Sequence, residues 1–460
     1  MKTVVIIGAG FSGTVLAAEL LRQSPAGVRI VLVNRSGLMA RGLAYGTNSA
    51  LHLLNVPAGN MSAYSDQPDH FLNYCKAQNP TITGSSFISR QMYGEYLSFV
   101  LECAEKQKKT DVIFERIDGE VSEIIQEPDF IALQLADGSV LNAVHVVLAL
   151  GNFSPADPLR LESTLGSGYY TRDPWAQNPN KDIASIEDSI LLMGTGLTAL
   201  DVVIKLVQSG HRGPIYMVSR RGLLPLPHRK ISHHALANTD FLEKLLKCRP
   251  SALNYMKIIR QEINVYQHTE QNWRDIIAAI RPITAKLWRS LDAVERRRFL
   301  RHVQPYWDVH RHRVAPASFD MFEQLCLSGQ IQIVAGRIKG ISLLKNKLLT
   351  HIKLRKTQSE STVEVSRIIN CTGPNTNIKW MDEQLLTQLT KSKLIQTDKH
   401  GLGILVNDDL SVINDRQNGA TTLSYIGPML KATYWEATAV PELRKYAAQL
   451  AKLLIQRLEK

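Results

Sequence analysis

The chain has 460 residues, 44% of them apolar and 21% charged, which suits two or three globular domains with ordinary cores. No apolar run approaches the roughly 20 residues of a membrane-spanning helix, and Cys75, Cys103, Cys248, Cys326 and Cys371 form no C-x-x-C pair, which argues against a disulfide framework and a dithiol-using reductase. The net charge of +12 is concentrated between Arg220 and Arg313 with no nucleic-acid motif beside it, so the expected partners are an anionic cofactor and an anionic small molecule rather than nucleic acid.

The first element is the apolar run Val4–Ile7, as expected of a central parallel strand, followed by Gly8-Ala9-Gly10-Phe11-Ser12-Gly13. Gly8 permits a sharp turn, Gly10 lets backbone approach a pyrophosphate, and Gly13 lets the next helix pack close to the strand. That helix, roughly residues 14–23, would direct its N-terminal amides and positive dipole end at the phosphates. The apolar residues of 28–33 predict the second strand, and Asn34 stands where a ribose-binding carboxylate is expected. Met1–Gly10 is too short an apolar stretch for a secretory signal, and the chain is expected to be cytoplasmic, without stable membrane insertion.

Alternating apolar positions over about 112–141, with Asp137-Gly138 among them, predict a hairpin or meander. The strand Val144–Leu150 ends at Gly151, and residues 156–187, rich in Pro, Gly, Asp and Asn, are expected to connect two domains. A second strand, Ile190–Met193, then meets Gly194-Thr195-Gly196-Leu197-Thr198-Ala199, the G-x-G-x-x-A variant of the same turn. Two such turns in one chain point to two dinucleotides face to face, as the reduction of a flavin by a nicotinamide requires. The strand after the second helix ends in Ser219-Arg220-Arg221 instead of an acid, a set that would clamp a 2′-phosphate, so NADPH is expected ahead of NADH.

Residues 222–325 are rich in helix formers and aromatics, and predict a mostly helical insertion within the nucleotide domain of 188–360. Trp307, Asp308, His310 and His312 would there form either a lid over substrate or an ordinary packed helix with a charged face. Arg367–Pro374 repeats the pattern of a strand ending at a glycine, here Gly373, and residues 361–460 are expected to return to the first domain (residues 1–155), closing on a long helix. No spacing of His and Cys suits a metal.

Taken together, the segments Gly8–Gly13, Ala40–Thr47, Leu53–Gly59, Gly194–Asp201, Ser219–Gly222, Asn370–Pro374 and Trp435–Glu442 resemble the bacterial FAD/NAD(P)-binding flavoproteins of the YdhS-like kind. These are distant relatives of two-dinucleotide flavin monooxygenases and of flavin-dependent urate hydroxylases; Asn34 departs from their usual acid. The resemblance implies an α/β fold with two Rossmann-like domains, the FAD domain discontinuous. It implies FAD contacts from Arg41, Asn55, Met61, Gly151, Gly373 and Gly427, with Trp435 and Glu436 beside the flavin as weak catalytic candidates. His52 is expected to be satisfied locally. The chemistry implied first is that of a monooxygenase: NADPH reduces FAD, and oxygen then forms a C4a-(hydro)peroxide that hydroxylates a small polar or anionic substrate. A reductase or dehydrogenase that inserts no oxygen, and a non-catalytic FAD-binding redox sensor, stay open.

Overall fold

The structure, a computed structural model, describes residues 1–47, 49–176, 185–230, 239–266, 272–415 and 422–459. Its first unit opens with β1 (Lys2–Ile7), the helix Phe11–Gln23 and β2 (Val28–Asn34). After the helix Arg90–Gln107 comes β3 (Ile113–Asp118), which pairs in parallel with β2. The meander expected over 112–141 therefore starts later than the pattern suggested. Residues 113–118 belong to the parallel sheet, where Arg29 and Glu115 pair at 2.6 Å across the strands, and only β4 (Val121–Gln126), β5 (Ile131–Leu135) and β6 (Val140–Ala143) form the antiparallel sheet. β7 (His145–Leu148) returns to the other side of β1.

The second unit begins inside the expected connector. β8 (Tyr170–Thr171) is an edge strand; residues 177–184 lie outside the described set. β9 (Ile190–Met193), the helix Leu197–Gln208 and β10 (Ile215–Ser219) repeat the opening motif. Helices then occupy most of the described residues from Asp240 to Leu327, including an unusually wide π turn at Phe299–Val303 that feeds the helix Gln304–Arg311. β11 (Ile331–Leu344) runs parallel to β10, then turns into an antiparallel pairing with β12 (Lys347–Leu354), which pairs with β13 (Glu360–Val365). β14 (Arg367–Asn370) pairs with β9. The chain thus leaves the second sheet after Asn370, later than the expected boundary at 361, because the wholly buried run Arg367–Asn370 fills the slot between β9 and β8. β15 (Leu423–Tyr425) rejoins the first sheet beside β7, and the helix Val440–Leu458 packs against the helix Phe11–Gln23.

The first sheet has the order β15-β7-β1-β2-β3 and is parallel throughout; Val4–Ile6, Ile30–Leu32 and Val146–Leu148 are fully buried in a core that also takes in Ile124 and Leu133 of the antiparallel sheet. In the second sheet β8-β14-β9-β10-β11 is the parallel part. The helical insertion has its own apolar core, built on Phe241, Tyr255, Ile276 and Trp288, and that core continues into Ala432 and Trp435 of the first unit. Trp288 also donates its indole N–H to the Ala432 carbonyl at 3.0 Å. The insertion is therefore docked on the first unit while covalently part of the second.

Candidate functional site

Both glycine turns have the backbone that a phosphate cradle needs. Gly8 lies at φ +106, and a Cβ there would come within 2.5 Å of the Ala149 carbonyl oxygen; at Gly13 it would lie 1.8 Å from Gly8 O. The helix Phe11–Gln23 consequently starts hard against β1, and the amides of Phe11, Ser12 and Gly13 have no protein acceptor among the described residues. Gly10 does more than leave room for a ligand: Gly42 crosses it so closely that a Cβ on Gly42 would lie 2.8 Å from Gly10 Cα. The Ala40–Thr47 loop is thus seated on the turn, backbone to backbone. Asn34 ends β2 beside the turn; its Oδ1 accepts the Ala9 N–H (3.4 Å), and its Nδ2 donates to Ser36 Oγ (2.9 Å) and Leu38 O (3.1 Å). Arg41 is half-buried and makes no hydrogen bond or ion pair among the described residues.

The second turn repeats the geometry. Gly194 lies at φ +123 with its absent Cβ 2.4 Å from Cys371 O, whereas nothing lies within 4 Å of the Cβ position of Gly196, the N-cap of the next helix. Leu197 and Thr198 amides are free of protein acceptors among the described residues, and Ala199 is fully buried. Ser219 Oγ lies 2.9 Å from Thr195 Oγ1 and accepts the Gly222 N–H at 3.0 Å. The two arginines diverge. Arg220 is exposed, while Arg221 donates to the Arg301 carbonyl (3.0 Å) and stacks over Tyr306 (5.2 Å). On these grounds the two turns fit dinucleotide pyrophosphates, held by unpaired amides at a helix N-terminus.

Between the units lies a cleft of about 430 Å³. The first unit contributes Leu54, Asn55, Met61, Phe153, Gly373 and the segment Thr438–Val440; the second contributes Leu197, Thr198 and Asp201. The insertion adds Ala278, Arg281 and Arg311–Arg313. The start of the helix Val440–Leu458 thus faces the cleft, with its positive dipole end. Gly151 and Gly427 are not part of this wall; Gly427, at φ +149, packs its backbone against Leu150 O.

Asp201 fastens the two units together. It pairs with Arg90 (2.8 Å), whose Nε donates to Leu53 O (3.2 Å), and its own carbonyl lies 3.1 Å from His52 Nε2. His52 Nδ1 bonds Thr47 Oγ1 (2.8 Å), and burial, ahead of its charged neighbours, lowers the imidazole pKa. His228 donates Nε2–H to Asn55 O (2.8 Å); burial and then Arg313 push it down to about 4, so it is neutral at pH 7.

Trp435 and Glu436 sit at the seam of insertion and first unit. Trp435, at φ +50, is 3% exposed, with its ring 4.7 Å from Trp288 and 4.9 Å from Phe299, and it lies outside the cleft wall. Glu436 is buried, accepts the Trp307 indole N–H (2.6 Å) and pairs with Arg311 (3.0 Å). Burial pushes its carboxyl pKa up, but Arg311, His312, Trp307 and Lys431 together outweigh it, and the net direction is downward. Asp308 is held above the usual carboxylate range, chiefly by burial, and His312, 3.9 Å from it, is lowered, also chiefly by burial. His310 points elsewhere: Nδ1 bonds Tyr306 O (2.7 Å), and the ring meets Trp273 edge-on.

The sequence pattern did not single out Arg90, Asp201, Arg281 or His228 as site residues. Arg311 and Arg313 stood out only as part of the cationic stretch from Arg220 to Arg313. All six come to the cleft from separate parts of the chain, and nothing local to Arg90 or Arg281 distinguishes it from a surface arginine. No group of metal-ligating side chains occurs among the described residues, and none of their helices is long and apolar enough to cross a membrane.

Residues 5–153 match a family model described as FAD-NAD(P)-binding. Solved structures extend the likeness to the whole chain. L-lysine 6-monooxygenase from Pseudomonas syringae aligns over 100% of both chains, with a TM-score of 0.66 and 16% identity. Kutzneria sp. 744 ornithine N-hydroxylase, KtzI, solved with reduced FAD, NADP+ and L-ornithine, covers 99% of both at 0.59 and 13%. The bacillithiol disulfide reductase Bdr (YpdA) from Staphylococcus aureus covers 99% of both at 0.57 and 10%. No curated protein gives a significant sequence match. The protein shares the two-unit fold of these flavoproteins. Its N-terminal segment is similar to the FAD-NAD(P)-binding family.

Proposed function

We propose that the chain is an FAD-dependent, NADPH-using monooxygenase acting on a small polar or anionic substrate. The observation that carries this reading is the pair of glycine turns with unpaired helix amides, set on two units that share one cleft. The names of two structural neighbours, an ornithine N-hydroxylase and an L-lysine 6-monooxygenase, support it. FAD, when bound, supplies hydride acceptance from NADPH and the activation of oxygen.

The chain's own residues supply placement and electrostatics. The first turn and the loop seated on it would hold the FAD pyrophosphate, with Asn34 as an uncharged partner for the ribose side. Gly196, Leu197 and Thr198 would hold the nicotinamide nucleotide, and the exposed Arg220 would reach its 2′-phosphate. The positive end of the helix Val440–Leu458 would favour negative charge developing in the cleft. Leu54, Met61 and Phe153 line the same space and would help to exclude water from it once the cofactors are bound.

A dithiol-using reductase is disfavoured: all five cysteines are free, and Cys371, behind the second turn, is wholly buried with its thiol pKa driven up by that burial. The test is to load the protein with FAD and screen small carboxylates and amines for stimulated NADPH oxidation. Oxygen uptake in step with NADPH use, and a product heavier by one oxygen atom, is the expected result. NADPH oxidation that passes electrons to an acceptor with no oxygen in any product would establish a reductase instead. An FAD complex that NADPH cannot reduce would leave only a binding protein.

A further inference from the structure

A second chamber, of about 500 Å³, adjoins the cleft, and Pro57, His228, Ala278 and Arg313 line both. It is lined as well by Arg229, Lys230, Arg274 and Asp275 from the insertion and by Ser85, Ser86 and Phe87 of the first unit. The charges do not cancel. Arg229 forms a two-pronged pair with Asp275 (2.9 and 2.7 Å), and Lys230 pairs with Asp320 (2.9 Å). Arg274 forms no ion pair among the described residues; it spends Nε and Nη2 on the Pro227 carbonyl (3.1 and 2.9 Å). Arg313 forms no hydrogen bond or ion pair among the described residues, and its Nε is buried without a partner.

We propose, building on the monooxygenase reading, that this chamber is the substrate-recognition site, and that Arg313 and Arg274 bind an oxyanion, a carboxylate or phosphate, on the substrate's non-reacting end. An unpaired guanidinium lining a cavity is costly to hold unless an anion completes it. Burial and then Arg311 and Arg274 push the Arg313 pKa down to about 10, and Asp275 offsets this only in part. Arg313 therefore stays protonated at pH 7, and among the described residues no carboxylate pairs with it: Asp275, in the same wall, is taken by Arg229. Its place on the wall common to both spaces lets an anchored molecule extend past His228 into the cleft. The expected 2′-phosphate contact, Arg220, is not part of either chamber wall.

The experiment uses the full-length, FAD-loaded protein and two probes, malonate and inorganic phosphate, against chloride at matched ionic strength. Thermal unfolding is followed with and without saturating NADP+. A saturable rise in Tm with malonate or phosphate, persisting under NADP+, is expected. Arg313→Gln and Arg274→Gln should each weaken the apparent affinity roughly tenfold, the loss of one charge-assisted hydrogen bond. Arg313→Lys, which keeps the charge but loses the fork, should recover part of it. Flavin absorbance verifies that each variant is folded; if Arg313→Gln fails to hold FAD, Arg274→Gln decides. No response beyond chloride, a response unchanged in the variants, or one abolished by NADP+ overturns the assignment, the last because cofactor phosphate would then own the site. These outcomes are separate from failure of the monooxygenase reading, which would appear as wild-type protein that does not take up FAD, is not reduced by NADPH, or oxidises NADPH without placing oxygen in a product.

Discussion

Gly194 and Gly196 stand two residues apart in the same turn, and alanine at each should produce opposite phenotypes. At Gly194 (φ +123) the substitution enters a backbone region that costs an L-residue roughly 1–3 kcal/mol. Its Cβ would also lie 2.4 Å from Cys371 O, well inside the roughly 3.5 Å at which such atoms attract, so β9 and β14 would have to separate. A loss of roughly 3 kcal/mol or more is a large share of the 5–15 kcal/mol typical of a folded protein. Gly196 has φ −85 and ψ −169, an ordinary extended backbone, with no atom within 4 Å of its Cβ position. Alanine there should cost at most about 1 kcal/mol as a poorer N-cap, but its methyl would stand where a pyrophosphate must approach. Urea unfolding followed by tryptophan fluorescence, together with the NADPH dependence of flavin reduction, distinguishes the two. Gly194→Ala should lower the unfolding midpoint strongly, and Gly196→Ala should leave it nearly unchanged while raising the KM for NADPH about tenfold, or ~1.4 kcal/mol. Equal destabilisation by both, or an unaltered KM in Gly196→Ala, would refute the division of labour between the two glycines.

Arg220→Ala should raise the KM for NADPH far more than that for NADH; equal changes in steady-state kinetics would remove the 2′-phosphate assignment. Glu436→Gln leaves Arg311 buried without its counter-charge, and thermal unfolding should show a loss of roughly 3–5 kcal/mol; a variant as stable as the parent would mean that the pair is not formed. His145 is buried between β7 and β15, bonded to Ser424 Oγ (3.0 Å), and burial depresses its pKa from 6.5 to about 3. Its stabilising contribution is therefore complete above pH 6.5 and is lost as the pH falls toward 3, because only the unfolded chain takes up the proton. Between pH 7.5 and 5 this amounts to about 2 kcal/mol, and His145→Gln should flatten that part of a denaturation-versus-pH curve. A variant with the parent's slope would assign the acid sensitivity to other groups.

The two nucleotide turns were legible because every part of their signal is local: an apolar strand, glycines at fixed spacing, and a helix directly behind. The same locality misled at two strands. Residues 113–118 fall inside the expected meander, yet pair with β2, and Arg367–Asn370 copies the pattern of β7 but belongs to the second sheet. Strand type can be read from periodicity, but the choice of partner depends on which slot the folded sheet leaves open. The cleft was less legible still. Arg90 and Asp201 are 111 positions apart, and Glu436 meets Trp307 across 129. Trp435 at positive φ carries no sequence signature, since its conformation is set by packing on Trp288 and Phe299. The basic run near Arg313 was visible, but its direction toward a cavity follows from the π turn and helix that deliver it.

The claim on which the account rests is that two nucleotide cradles hold FAD and NADPH within hydride reach. Anaerobic stopped-flow mixing of the FAD-loaded protein with NADPH deuterated at the transferring position tests it directly. The account predicts loss of the oxidised-flavin absorbance in a single main phase, slowed by deuterium and saturable in NADPH. A protein that binds both nucleotides yet keeps its flavin oxidised would contradict it.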